Sequence, residues 1–400
     1  MRSFSTHSRC LALEPLEARD VPSAYDLGDA AAFNAVFFGD MNAFTSDAEG
    51  RVAVGGNARL YAYGIGDRLD NSNGTRDDLI VGKDLDYTYG QVFNGNIVYG
   101  NVGNLDGVGI PNGEERQEAN ILDFAELHAD LSAKSALWGA ESPNGYTSLR
   151  RGNLNLRGKH AELDIFTVTP DQLAAAKSIH IITPFGATVL INVPGDSAGI
   201  HDLGLHLRGA DGPHILWNFY QADELSISGV GLKGSILAPE AALDFNNGQI
   251  AGTVIAASMH GNGQFNISES RIHIQFPEMA SLIGQVFIDD NGNNAKDPGE
   301  QGFDGAEVFL TGRDSLGRRV NKSFMSQNDG QFDFDTLWPG TYAVRVVPPQ
   351  KYEDSMLLGI PGTVSGIPVG IGEVNAVKSI VLGAGDDGIE YLLPFLPPQN

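Results

Sequence analysis

Between 51 and 158 the chain reads as short apolar runs cut off by glycine, at 51–57, 78–82, 96–102 and 153–158, with Gly-Asn pairs at Gly56, Gly95, Gly100, Gly103 and Gly152. Such runs are too short for full hairpin strands, and their corners need the positive φ that glycine and asparagine tolerate. A parallel β-helix has this economy, because each short rung buries its inner face against the next. A jelly roll or an irregular sandwich fits the same pattern.

Helical spacing interrupts the β pattern. Asp29 can cap a short helix over 30–38, stopped by Gly39. From Glu114 to about Trp138, the residues Ile121, Phe124, Leu127, Leu131 and Leu137 make one apolar face among Glu118, Glu126 and Asp130, which predicts an amphipathic helix. A narrow solenoid lumen cannot hold a helix, so this one should lie along an outer face. Thr169 and Pro170 start a second, short helix, and strands at 178–182 and 187–193 follow. Pro239 should end a rung, because it cannot donate to a ladder.

Beyond 280, segments 283–288, 306–310, 330–334 and 341–346 alternate with period two around a turn at Pro339-Gly340, which predicts a small Greek-key β-sandwich. Between the first two lies an acidic loop, 289–300, with oxygen donors at the spacing of an EF-hand calcium loop. Asp289, Asn291 and Asn293 would supply side-chain oxygens, Ala295 its carbonyl, Asp297 an oxygen directly or through water, and Glu300 a bidentate carboxylate to Ca2+. Asn294 stands where the turn glycine belongs, and asparagine tolerates the left-handed backbone needed there. A solvated Asx-turn loop without an ion is the bland alternative.

Composition narrows the classes. Four hundred residues allow more than one core, and fifty glycines without a Gly-X-Y period exclude collagen. A net charge of −24 with no basic stripe argues against nucleic acid as a partner. Cys10 is the only cysteine, so no internal disulfide exists, and no apolar run is long enough for a membrane helix. The start, Leu13-Glu14-Pro15-Leu16-Glu17-Ala18-Arg19, makes a poor signal peptide because Glu14 and Glu17 break its apolar run. It resembles the export tag of many large planctomycete proteins.

Two further resemblances follow from motifs. Gly284-Gln285-Val286-Phe287-Ile288 leading into the acidic loop, with Leu337-Trp338-Pro339-Gly340-Thr341-Tyr342 downstream, resembles the SdrD B-like, collagen-adhesin B-type modules of bacterial surface proteins over 281–383. That resemblance implies a calcium-stabilised, immunoglobulin-like spacer. Leu27-Gly28-Asp29, Trp217-Asn218-Phe219, Gly234-Ser235-Ile236-Leu237-Ala238-Pro239 and Ala251-Gly252-Thr253-Val254 together are similar to the choice-of-anchor A family of exported adhesive domains over 25–275. This resemblance favours the β-helix and implies location more than chemistry.

The expected organisation is a leader or export tag at 1–24, a β-helix (solenoid) with a flanking α-helix at 25–275, an immunoglobulin-like β-sandwich at 276–383 and a C-terminal tail at 384–400. The expected function is that of a non-catalytic adhesin on the cell surface or in the extracellular matrix. It would bind a glycan, a matrix protein or another surface component through its head, on a calcium-stabilised spacer. A carbohydrate-active lyase or hydrolase is the alternative; it needs two carboxylates across a sugar, and Asp164, Asp202, Asp211, Asp223, Glu224 and Asp244 are raw material. His201, His206, His214, His260 and His273 form no compact ligand set. Trp217, Phe219 and Phe245 are read as core in preference to a sugar platform. Ice binding is a third reading, weakened because Thr167 and Thr169 are not repeated in register.

Overall fold

The computed structural model describes residues 27–160, 162–268, 279–347 and 357–397. Two bodies emerge: a three-faced parallel β-solenoid, flanked by α1 (Phe124–Gly139) and a shorter α2 (Pro170–Ala174), and a two-sheet β-sandwich. The expected leader at 1–24, with Cys10, lies outside the described residues, as does His273.

One solenoid face runs, in hydrogen-bonded order, through 163–167, 188–192, 215–218, 235–238, 254–256, 35–37, 52–54, 77–81, 96–99 and 115–117. The described solenoid therefore starts in the middle, with 35–37 beside 254–256, and winds outward to 115–117. It then crosses to the far end and winds back to meet its own beginning. The crossing is α1, whose 16 residues span about 24 Å, or about five strand spacings.

Both sides of the inner strands of this face are buried, which is why most of them read as apolar runs; the outermost, 115–117, is exposed and polar. Val52, Val54, Val189, Ile191 and Trp217 point into the lumen, while Val36, Ala53, Leu190, Leu216, Leu237 and Ile255 meet Leu127, Leu131 and Trp138 of α1. A buried polar chain fixes the helix on that face. Ser135 Oγ donates to Asn218 Oδ1 (2.6 Å), Asn218 Nδ2 donates to Ser135 O and Asn192 Oδ1 (both 2.9 Å), and Asn192 Nδ2 donates to Trp138 O (2.6 Å). Asn34 closes the seam: its Nδ2 donates to the carbonyls of Gly252 and Asn266, and its Oδ1 accepts the Gly50 N–H.

Three local expectations are corrected here. The long helix begins at Phe124, where Asp123 caps the N–H groups of Ala125 and Glu126, and Glu115–Gln117 is instead the outermost strand of the face. Only a 3-10 turn, Gly28–Ala32, forms near Asp29, which makes no capping bond; Ala35–Phe37 is claimed as a strand by its two neighbours. Pro239 does not end a rung. It sits inside the strand Ser235–Asn246 at a register shift, where one strand bends from the helix-covered face onto the next. The short second helix forms as expected, with a capping box between Thr169 and Gln172.

The sandwich packs strands Gln331–Leu337, Ala280–Ile288, Asp387–Phe395, Gly362–Val364 and Ile367–Val369 against Arg319–Met325, Glu307–Asp314, Gly340–Val347, Ala376–Leu382 and Ile371–Glu373. The segment expected as a tail from 384 is a correction too. Tyr391, Leu393 and Phe395 alternate into the core, and their strand pairs in parallel with Ala280–Ile288. The sandwich docks on the end of α1. Arg318 lies over the Trp338 ring (4.7 Å), pairs with Asp314 (2.6 Å) and reaches Glu141 (2.5 Å), while Trp338 and Leu316 join the apolar cluster under the helix.

Candidate functional site

With α1 over one face, the broad face left open carries strand segments 197–201, 224–228, 242–246, 258–261, 41–44, 58–61, 85–88 and 103–106 side by side. Period-two alternation puts Ala43, Leu60, Tyr87, Leu243 and Ile227 inside. It also puts one register row outside: Gly199, Ser226, Asp244, His260, Asn42, Arg59, Asp86 and Asn104. The row is polar, with Arg59 paired to Asp86 (3.5 Å) and His260 facing Asp244 (3.8 Å). The next row holds Phe44, Tyr61 and Thr88 in register. Tyr61 and Tyr89 are 50% and 58% exposed and meet edge to face at 6.0 Å.

At one end of this face α2 raises a wall, leaving an open groove of ≈ 800 Å³ lined by Asp171, Glu224, Asp244, His201, His260 and Asn42 among others. Glu224 is in register with Ala242 and Asp244 with Ser226, so the two carboxylates sit on neighbouring strands offset by two positions. His201 bonds Ser228 Oγ (2.8 Å).

The other carboxylates weighed for catalysis are scattered. Asp164 is buried, and its Oδ1 accepts the N–H groups of Lys159 and His160. Asp202 occupies a left-handed corner, Asp211 bonds His214, and Asp223 starts a strand by bonding its own N–H to Asp196 O. Thr167 ends a strand and Thr169 caps α2, so they form no array. Trp217, Phe219 and Phe245 are all buried. The exposed rings on this face are Tyr61 and Tyr89, which sequence reading missed; alternation with the inward Leu60 marks Tyr61, whereas Tyr89, two residues from the inward Tyr87, faces outward because its φ of 50° breaks the alternation.

In the acidic loop, Asn294 holds φ 59° and its Oδ1 accepts the Leu358 N–H (3.0 Å). Asp289 is fully buried and accepts N–H groups from Gly292, Asn293 and Asn294. Asn291 and Asn293 both reach Asp297 Oδ2, at 2.8 and 2.7 Å, and Ala295 N–H bonds Asn293 Oδ1. Glu300 accepts the N–H groups of Asp290 and Asp297, closing the loop. Among the described residues, no three Asp, Glu, His or Cys side chains converge as a metal cluster. No described helix is long and apolar enough to cross a membrane.

Residues 26–267 match the family described as "Putative Ice-binding-like adhesive domain". The chain belongs to that family. The match corrects the choice-of-anchor A assignment of 25–275. The motifs behind that assignment lie in the seam and under α1: Asn218 in the buried polar chain, Leu237 against the helix, Thr253 Oγ1 bonding Phe33 O. They report how the solenoid closes and carry no mark of what it binds. Residues 280–358 match the SdrD B-like domain, in agreement with the second resemblance. No curated protein matches the chain. Among solved structures, the chain is similar to the ice-binding protein of the Antarctic ascomycete Antarctomyces psychrotrophicus at 12% identity, over 61% of this chain and 98% of that one, with a TM-score of 0.27. It is also similar to an ice-binding protein from an Antarctic biological consortium at 13% identity, over 64% and 95%, with a TM-score of 0.28.

Proposed function

We propose that this is an exported, non-catalytic adhesive protein whose solenoid head attaches to an extended ordered surface, ice foremost, through its broad face. The observation that carries the reading is the family match over 26–267, combined with one open face whose outward residues stay in register from strand to strand. Strand spacing of about 4.8 Å repeats that row as a rigid lattice of polar groups. Within the row Arg59 is paired with Asp86. A fluorescent fusion of the whole chain should enter a growing ice hemisphere and slow ice recrystallisation. Exclusion from the ice would end this reading.

A second reading, attachment to a glycan or matrix protein, is favoured by the exposed pair Tyr61 and Tyr89 beside Arg59 and Asp86. Aromatic rings next to planar hydrogen-bonding groups suit sugars. Array binding that disappears in Tyr61→Ala, with exclusion from ice, would select it.

The sandwich serves in this proposal as a spacer stiffened by calcium. Asp289, Asn291, Asn293, the Ala295 carbonyl, Asp297 and Glu300 form an all-oxygen donor set suited to a hard cation. Three of these side chains, Asn291, Asn293 and Asp297, are already gathered. The ion would supply structural crosslinking and no chemistry.

A further inference from the structure

A separate surface of the solenoid has the opposite electrical character to the chain as a whole. Strands Tyr146–Arg150, Asn153–Arg157, Ser178–Ile182 and Gly204–Arg208 form one four-stranded sheet of the solenoid, separate from the two faces described above. Leu154, Leu156, Ile179 and Ile181 turn inward, which fixes what turns outward. None of the four strands contains an aspartate or glutamate, in a protein of net charge −24. Their outward positions carry Arg150, Arg157, Arg208, His180 and His206 instead.

These arginines also differ from most of the others in having no carboxylate or ring partner. Arg59, Arg68, Arg76, Arg116 and Arg318 each have a carboxylate partner, and Arg51 and Arg345 lie over aromatic rings. Arg150, Arg157 and Arg208 have no carboxylate within salt-bridge distance among the described residues. The nearest acids along the chain are in corners outside the strands, and of these Asp211 is engaged with His214. Cations left exposed, unpaired and on one rigid face have bound a cost in self-repulsion that an anionic ligand would relieve.

We infer that this sheet binds a linear anionic polysaccharide, one bearing carboxylate or sulfate groups. The register puts Tyr146, Arg157, Ile182 and Arg208 in one row, so the two guanidinium groups stand two strands, about 10 Å, apart. The next rows hold Ser148, Asn155, Asn153 and Ser178, hydroxyl and amide groups that match sugar hydroxyls. Two rings flank the arginine row: Tyr146 is 58% exposed and Phe185, just beyond Ile182, is 95% exposed. The sheet is about 14 Å wide, enough for a few sugar units lying flat. A lipid surface would ask for several apolar anchors, and Phe185 is the one large apolar side chain fully exposed here. Repulsion by the rest of the protein is damped beyond about 8 Å at physiological salt, so the local face decides.

The test uses the full-length chain with polygalacturonate, chondroitin sulfate, neutral dextran and phosphatidylserine vesicles as probes. Expected are binding of a polyanionic glycan but not dextran, and loss of affinity between about 50 and about 200 mM salt. Arg157→Ser with Arg208→Ser should weaken it at least about tenfold, whereas Arg157→Lys with Arg208→Lys should stay within about threefold. The lysine pair guards against a folding artefact. Arg319→Ser, which removes an exposed arginine from the sandwich, should change nothing. Equal binding by the serine pair, equal binding of dextran, binding of vesicles in place of the glycans, or no binding at all would overturn the inference.

Discussion

The solenoid and the sandwich close their structures in opposite ways. The solenoid joins 35–37 to 254–256 and fastens a helix across the join with buried amides. The sandwich pairs its first strand with its last in parallel, its other neighbours are antiparallel, and its acidic loop bonds largely within its own twelve residues. One body therefore closes through amides buried under a helix, the other through antiparallel pairing and an acidic loop bonded to its own backbone. Perturbations should separate them accordingly.

The largest separation is expected from Asn218→Ala. It strips partners from Ser135 Oγ, Ser135 O and Asn192 Oδ1, all under α1, and buried groups left unpaired cost about 1–3 kcal/mol each. Urea unfolding followed by a solenoid probe should lose about 3–5 kcal/mol, with the sandwich little changed. A loss below about 1 kcal/mol would mean that the amide chain does not hold the helix.

Calcium removal should act on the other body. Chelator is expected to lower the sandwich transition by about 2.7 kcal/mol if the ion is present at a hundredfold its Kd, and to spare the solenoid. Asp289→Ala should remove both the stability and the chelator response, because it also orphans the N–H groups of Gly292, Asn293 and Asn294. A variant that is destabilised while the parent ignores chelator would leave the loop as a hydrogen-bonded turn. Asn294→Gly, attractive for the turn alone, should weaken the loop slightly, since the side chain holds the Leu358 N–H.

The joint tests whether the two bodies are independent at all. Arg318 and Glu141 are 11% and 13% exposed, so Arg318→Ala leaves a nearly buried carboxylate facing Trp338 and removes a stacked cation. About 2 kcal/mol of coupling should disappear. Calorimetry should show two transitions drawing apart, and unchanged spacing would make the contact incidental.

What was legible beforehand is what neighbouring residues decide. The alternation in 280–346, the acidic loop and the capping box at Thr169 are local, and each could be read from neighbouring residues. The seam could not: nothing near Ala35 announces Val254 as its partner. The basic sheet is hidden for the same reason, since Arg150, Arg157 and Arg208 belong to different strands and make no stripe until folding brings those strands together. The helix start was misplaced because Glu115–Gln117 has no local strand signal; its pairing with Ile97–Tyr99 decides. On the broad face, alternation marks which side chains point outward, but the order of the rows depends on the seam.

The smallest effect concerns a weak point inside the solenoid, a buried carboxyl with one oxygen left without a partner. Asp164 is fully buried, with two N–H groups on Oδ1 and no partner on Oδ2. Gly158 approaches so closely that a Cβ there would stand 1.8 Å from Oδ2. Burial raises the carboxyl above its ordinary range, the N–H groups opposing this in part. The folded state therefore holds the proton to higher pH than the unfolded chain does. Its stability falls as pH rises from the ordinary aspartate range through the folded value, and levels off above it. Asp164→Asn keeps an acceptor for Lys159 and His160 and cannot ionise. It should match the parent near about pH 4 and exceed it by up to about 1 kcal/mol near about pH 8. If the gap instead widens toward acid, the carboxylate is stabilised in the fold and the assignment of its buried state is wrong.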